Sequence, residues 1–262
     1  MQGCVCPHPP LLIPEIGGDS LDAVAATVRG MEALAADVGE PETVVVVSPH
    51  TPGYADAHLV KVAPRLRGDF GNFGCPEAAF AFDNDTAFVD LLLALAGGDK
   101  DVTLVPGEGD LLDHGVLVPL SFLRPARIVS LSIVNAYSEH RALGQLVRRC
   151  AEELGRDTLF VASGDLSHRL IPSAPAGYDP RGKTFDELLL RAFEAGDFAA
   201  LSRLDRGIVG GAGECGLRSF IALGGFLGDE ARVEPHVYSY EGPFGVGYLV
   251  ARFGRRESHP RL

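Results

Sequence analysis

The chain has 262 residues, 46% hydrophobic and 22% charged, with a formal net charge of −12. That composition supplies a large core and excludes disorder, while an acidic balance without any run of Lys and Arg excludes nucleic acid and anionic membrane surfaces as partners. Five cysteines are too few for a disulfide framework, no apolar stretch reaches bilayer length, and Met1-Gln2-Gly3-Cys4 lacks a signal-peptide pattern, so a reducing cytoplasm is expected.

In chain order, a short apolar run ends at Cys6, and an amphipathic helix is predicted over roughly Ser20 to Val38, capped by Ser20 and closed by Gly39. Thr43 to Val47 is a β-branched run of the fully buried strand type. An extended piece follows at His58 to Val62, then a helix over Asp83 to Ala96 that stops at Gly97-Gly98. Further strands are predicted at Val102–Val105, Arg127–Leu131 and Thr158–Ala162, and helices at Ser138–Leu154, Lys183–Ala195 and Glu214–Leu227. Val233–Tyr240 and Val246–Phe253 read as a terminal hairpin around Gly242-Pro243. Buried strands alternating with helices imply an α/β fold with a largely parallel sheet covered on both faces, and the hairpin makes the sheet mixed. No linker or repeat interrupts residues 1–262, which are expected to form one domain with an excursion over Ile171–Arg181.

Two passages place a histidine in a proline-bracketed turn after an apolar run: Cys6-Pro7-His8-Pro9 and Ser48-Pro49-His50-Thr51-Pro52. Proline stiffens the backbone on both sides, and ligands of parallel sheets bind at the carboxyl ends of strands. His168, in Ser163-Gly164-Asp165-Leu166-Ser167-His168, and His114, in Asp113-His114-Gly115, each have an aspartate nearby that can orient an imidazole. Gly213-Glu214-Cys215-Gly216 sets a carboxylate at the start of an apolar helix. Singly, each has a plainer reading: a turn histidine, a simple helix start at Asp113-His114, a helix cap at Ser167, a carboxylate favoured by a helix start. His58, His140, His236 and His259 lack the setting and read as structural or surface residues. Together, two neutral imidazoles and one carboxylate from this group would hold one divalent metal with open coordination positions, suited to Fe(II) oxygen chemistry or to catalytic zinc.

These passages resemble the class III extradiol ring-cleavage dioxygenases, catalytic LigB-type subunit, and the related Memo proteins. The likeness runs from Cys6-Pro7-His8-Pro9-Pro10 through Ser48-Pro49-His50, Asp113-His114-Gly115 and Gly164-Asp165-Leu166-Ser167-His168. It continues through Ala176-Gly177-Tyr178-Asp179-Pro180-Arg181-Gly182 and Gly213-Glu214-Cys215-Gly216-Leu217-Arg218-Ser219 to Tyr240-Glu241-Gly242-Pro243-Phe244-Gly245. It is nearest to the dioxygenase-like half of proteins that also carry an AMMECR1-type domain, which makes an AMMECR1-like partner and a homodimer expectations. The resemblance implies a three-layer α/β/α fold, Fe(II) held by His8, His50 and Glu214, His168 as acid/base and His114 as a further catalytic residue. The implied reaction opens a catechol-like or aminophenol ring with O₂. Two other readings stay open: a zinc hydrolase on the same ligands, and a Memo-like zinc-, copper- or iron-binding protein without turnover, in which Cys215, Cys4 and Cys6 make the site thiol-rich. Arg218 either greets an anionic substrate group or forms an i,i+4 ion pair with Glu214; Arg169 and Lys183 are further substrate-binding candidates.

Overall fold

The structure, a computed structural model, describes residues 1–228 and 233–255; His259 lies outside the described residues. Its strands are β1 (Gln2–Cys6), β2 (Thr43–Ser48), β3 (His58–Lys61), β4 (Arg65–Phe70), β5 (Cys75–Asp83), β6 (Leu104–Gly107), β7 (Arg127–Ser132), β8 (Thr158–Ser163), β9 (Val233–Glu241) and β10 (Tyr248–Arg255). The α-helices are α1 (Pro14–Gly17), α2 (Ala25–Val38), α3 (Thr86–Ala96), α4 (His114–Phe122), α5 (Ser138–Leu154), α6 (Pro180–Ala195), α7 (Phe198–Ser202), α8 (Arg206–Ala212) and α9 (Leu217–Leu227).

Eight strands form one sheet in the order β6-β3-β7-β2-β8-β1-β10-β9. Its centre, β7-β2-β8-β1, is parallel, and the β10–β9 hairpin adds to β1 antiparallel. On the other side β3 lies antiparallel to β7 and parallel to β6. Because successive side chains of a strand point to opposite faces, the valines of β2 divide between two cores. Val45 and Val47 join the core under α3, α5, α6 and α9, whereas Val44 and Val46 join the core under α2 and α4. A strand flanked on both faces must be apolar throughout, and all six residues of β2 are buried. The result is a mixed, mostly parallel sheet between two layers, as the sequence implies.

Several boundaries differ from the pattern. The helix expected from Ser20 begins at Ala25, after a 3-10 segment over Gly18–Val24, and no side chain caps it. Its end at Gly39, with φ of 66°, is the expected one. α3 starts three residues later than Asp83 because the carboxylate of Asp85 accepts from the Phe88 N–H, while Asp83 closes β5. The β4–β5 hairpin stands apart from the main sheet; its glycines and polar residues mask an alternation that strand rules need. Among the described residues no helix is long and apolar enough to cross a membrane.

Candidate metal centre

The three central strands β2, β8 and β1 end side by side, and each is followed by a turn that carries a candidate residue. His8 follows β1, His50 follows β2, and Asp165 and His168 follow β8. The imidazoles of His8 and His50, 42 positions apart, meet with their Nε2 atoms 3.1 Å apart. His114, the first residue of α4, adds a third ring, its centroid 4.2 Å from that of His50 and 5.5 Å from that of His8.

The tautomer of His8 follows from its neighbour. The Ser163 hydroxyl, with one proton, donates it to the Gly115 carbonyl at 2.5 Å. At 2.8 Å from His8 Nδ1 the same oxygen must therefore accept, so His8 carries its proton on Nδ1 and presents a bare lone pair at Nε2. That lone pair faces His50 Nε2 and lies 3.6 Å from Cys215 Sγ. Burial lowers the pKa of His8, His50, His114 (to about 4) and His168, helped for His8, His114 and His168 by other imidazoles. All four are neutral at pH 7, the form a metal needs.

The turns are clamped by carboxylates. Asp113 accepts from the hydroxyls of Ser48 (2.7 Å) and Thr51 (2.6 Å), so it fixes the loop carrying His50. The sequence pattern offers this carboxylate to His114 or reads Asp113-His114 as a helix start; α4 does begin at His114 with Asp113 as its N-cap residue, but the Asp113 side chain makes no capping hydrogen bond. Gly115 has to be glycine here, because a Cβ would run into Ser48 Oγ. Asp165 accepts from the His8 N–H at 3.0 Å, and its other oxygen lies 3.9 Å from Nε2 of both His8 and His168. Burial pushes the Asp165 carboxyl up to about 7, although the His8 N–H works against the shift. His168 Nε2 is buried without a hydrogen-bond partner, and no helix begins there. Behind this loop Asp186 on α6 accepts from Ser167 N–H (2.8 Å) and Tyr240 O–H (2.7 Å).

Two groups of three possible ligands have their donor atoms within 4.8 Å of one another among the described residues: His8, His50 and Cys215, and Asp165, His168 and Cys215. Glu214, expected beside the two histidines, is in neither. Its carboxylate accepts from the Leu217 N–H at 2.6 Å and the Tyr137 hydroxyl at 3.3 Å, which ties it to the first turn of α9. The next side chain, Cys215, points the other way and takes the place beside His8. The donor set fits a cation. A tetrahedral ion with bonds of about 2.0–2.1 Å to nitrogen and 2.3 Å to sulfur separates two nitrogens by about 3.3 Å and nitrogen from sulfur by about 3.6 Å. Burial, then the Asp165 charge, holds Cys215 as a thiol, which a bound cation would deprotonate.

The remaining candidates separate. Arg218 lines a cavity of about 470 Å³ shared with His50, Pro49, Tyr54, Ile133 and Asn135. It forms no ion pair with Glu214: among the described residues no carboxylate lies within 4.0 Å of it. Arg169 packs toward Gly213 with its Nε buried and unpartnered, and it is absent from that cavity. Lys183 pairs with Glu187 on the surface. Cys4 and Cys6 are wholly buried, with sulfurs 3.6 Å apart, and join neither ligand group. His58 and His140 form a buried pair, so the structural reading suits them. Sequence reasoning missed Ser163, Tyr137 and Phe73. Only Ser163 left a signal, a polar residue closing an otherwise apolar strand; Phe73 lies on a hairpin that the pattern hid, its ring 5.1 Å from that of His114.

Residues 2–251 match the family described as the catalytic LigB subunit of aromatic ring-opening dioxygenase. A curated relative, Protein CA_C1420 of Clostridium acetobutylicum, is 32% identical over 94% of this chain. The chain spans about half, 56%, of that relative's length. The crystal structure of uncharacterized protein JW3007 from Escherichia coli K12 superposes with a TM-score of 0.62 at 17% identity, covering 97% of this chain and 100% of the other. At that identity the likeness establishes the fold alone.

Proposed function

This chain belongs to the family of catalytic LigB subunits of aromatic ring-opening dioxygenases, and from that premise we propose that it is a metal-dependent extradiol-type dioxygenase acting on a catechol-like or aminophenol ring. The observation that carries the proposal is the bare His8 Nε2 facing His50 and Cys215 at ligand spacing. His8, His50 and Cys215 would hold the ion, Fe(II) being the choice for oxygen chemistry and zinc its rival. Bound there, a divalent metal would supply a Lewis-acidic template at which the two ring oxygens and O₂ are brought together.

The chain's own groups do the rest. His168, neutral and with Nε2 free, accepts a proton from the ring hydroxyl and later returns it. Asp165, 3.9 Å from that Nε2, steadies the imidazolium while it carries the proton. His114, against His50 and Phe73, presents its imidazole to negative charge that develops on oxygen. The buried ring of Phe73's neighbour Phe70 supports this side of the site.

The thiol donor favours a second reading, a metal-binding protein without turnover, because sulfur suits zinc and copper. One experiment separates the two. Protein purified without oxygen is analysed for metal, loaded with Fe(II), and assayed for O₂ uptake on a panel of catechols and aminophenols. Uptake that is lost in His50→Ala supports the dioxygenase; a fully loaded protein that consumes no O₂ with any ring refutes it.

A further inference from the structure

His58 and His140 stand outside the metal centre, yet they meet at the far end of the loop that carries His50. That loop runs from Ser48, the last residue of β2, to His58, the first of β3. Its near end is clamped by Asp113 through Ser48 and Thr51. At its far end β3 is joined to β7 by a single bridge, Val60 to Leu131, so the strand ladder supplies little hold. Side chains replace it. The Ser132 hydroxyl accepts from the Leu59 N–H at 2.8 Å, and the Ser132 carbonyl lies 3.0 Å from His58 Nδ1. A carbonyl only accepts, so His58 carries its proton on Nδ1. His140, in the first turn of α5, accepts the Val134 N–H at Nε2 over 3.3 Å, so its proton is on Nδ1 as well. The next residue, Asn135, donates its N–H to the Ala55 carbonyl at 3.0 Å and ties the two loops together.

Both rings are wholly buried, edge to face with centroids 5.0 Å apart. Burial lowers the pKa of each, that of His140 to about 3, so both stay neutral at pH 7. Each keeps one nitrogen, His58 Nε2 and His140 Nδ1, without a hydrogen-bond partner among the described residues. An unpaired buried nitrogen is costly, and two apolar side chains would fill the same space without that cost. What the imidazoles offer in return is the pair of bonds at Ser132 and Val134. We propose that His58 and His140 are positioning residues for His50, pinning the far end of its loop through His58 Nδ1–H and His140 Nε2. The effect on the ion rests on the metal-centre reading above; the hold on the loop rests on these bonds alone.

Asparagine reproduces an imidazole at Nδ1 and glutamine at Nε2, which gives each histidine one variant that keeps its bond and one that loses it. Zinc affinity is measured by competition with a chromophoric chelator, and exchange of the Asn135 N–H is followed by NMR in the zinc-free protein. His58→Asn and His140→Gln are expected within about twofold of wild type in both. His58→Gln and His140→Asn lose about tenfold in affinity and exchange about fivefold faster. All four variants pack less well than the wild type, so a merely structural role would move them together. The proposal is overturned if the four behave alike, if the pattern is reversed, or if exchange quickens while affinity stays. Each histidine is tested independently, so a variant that does not fold leaves the other pair to decide. Wild-type protein that binds no zinc sinks the metal centre, and the exchange pattern then decides the hold on the loop.

Discussion

Ser163→Ala tests the reasoning about the His8 tautomer directly. The hydroxyl is fully buried, accepts from His8 Nδ1–H at 2.8 Å and donates to the Gly115 carbonyl at 2.5 Å. Removing it leaves one donor and one acceptor buried and unpaired, at roughly 1–3 kcal/mol each, so the metal-free protein should lose about 2–6 kcal/mol of stability. The imidazole also loses what fixes its proton, and part of the population moves the proton to Nε2, the atom meant for the ion. Loss of such a supporting partner typically lowers metal affinity about 10–100-fold. Competition with a chromophoric chelator, using zinc as the probe, measures the affinity, and ¹⁵N spectra of the imidazoles report the tautomer. A folded Ser163→Ala protein with zinc affinity within about twofold of wild type, or with His8 still protonated on Nδ1 alone, would refute the argument.

Cys215→Ser should weaken zinc binding by at least about tenfold, whereas Glu214→Gln should leave it nearly unchanged and lower stability by about 1 kcal/mol through a poorer hold on the Leu217 N–H; the opposite order would return the carboxylate to the ligand set. Gly164→Ala should cost about 1–3 kcal/mol in urea denaturation and reduce metal binding, because its Cβ would press on the Gly216 backbone and part the two loops. Asp186 gives a pH test. Burial raises its folded pKa to about 6 from 3.8, so the folded state holds the proton more tightly. Its contribution is fully present below about pH 4 and is lost as pH rises to about 6, a change of about 3 kcal/mol. Asp186→Asn should therefore be less destabilising at pH 8 than at pH 4; an equal penalty at both would count against the assigned shift.

The strands of the sheet centre were legible because burial on both faces leaves no polar residue inside Thr43–Val47 or Thr158–Ala162. His8 and His50 were legible for a different reason: prolines around them mark stiff turns at strand ends, and a parallel sheet gathers its strand ends. The direction of Glu214 and Cys215 was not. Neighbouring residues in a turn differ only in which way each side chain leaves the backbone, and Gly213, with φ of 63°, sets that here. The β4–β5 hairpin hid because Gly68, Gly71 and Gly74 break its alternation. Arg218 illustrates a third limit: i,i+4 spacing permits a pair with Glu214, but the Tyr137 ring and the Leu217 N–H compete for the two groups.

The position of β1 bears on how the molecule is made. β1 precedes the other strands of the sheet in sequence yet lies between β8 and β10, paired through Gln2–Cys6 to residues 159–163 and 251–253. One of its hydrogen-bonding edges must wait for residue 163 and the other for residue 253, and pairings of such long sequence separation form slowly. Until then, a strand of buried residues has no permanent neighbour, a state that invites chaperone capture or mispairing. Cation capture is deferred for the same reason, since Cys215 emerges more than two hundred residues after His8; the centre can load only after Cys215 has been made.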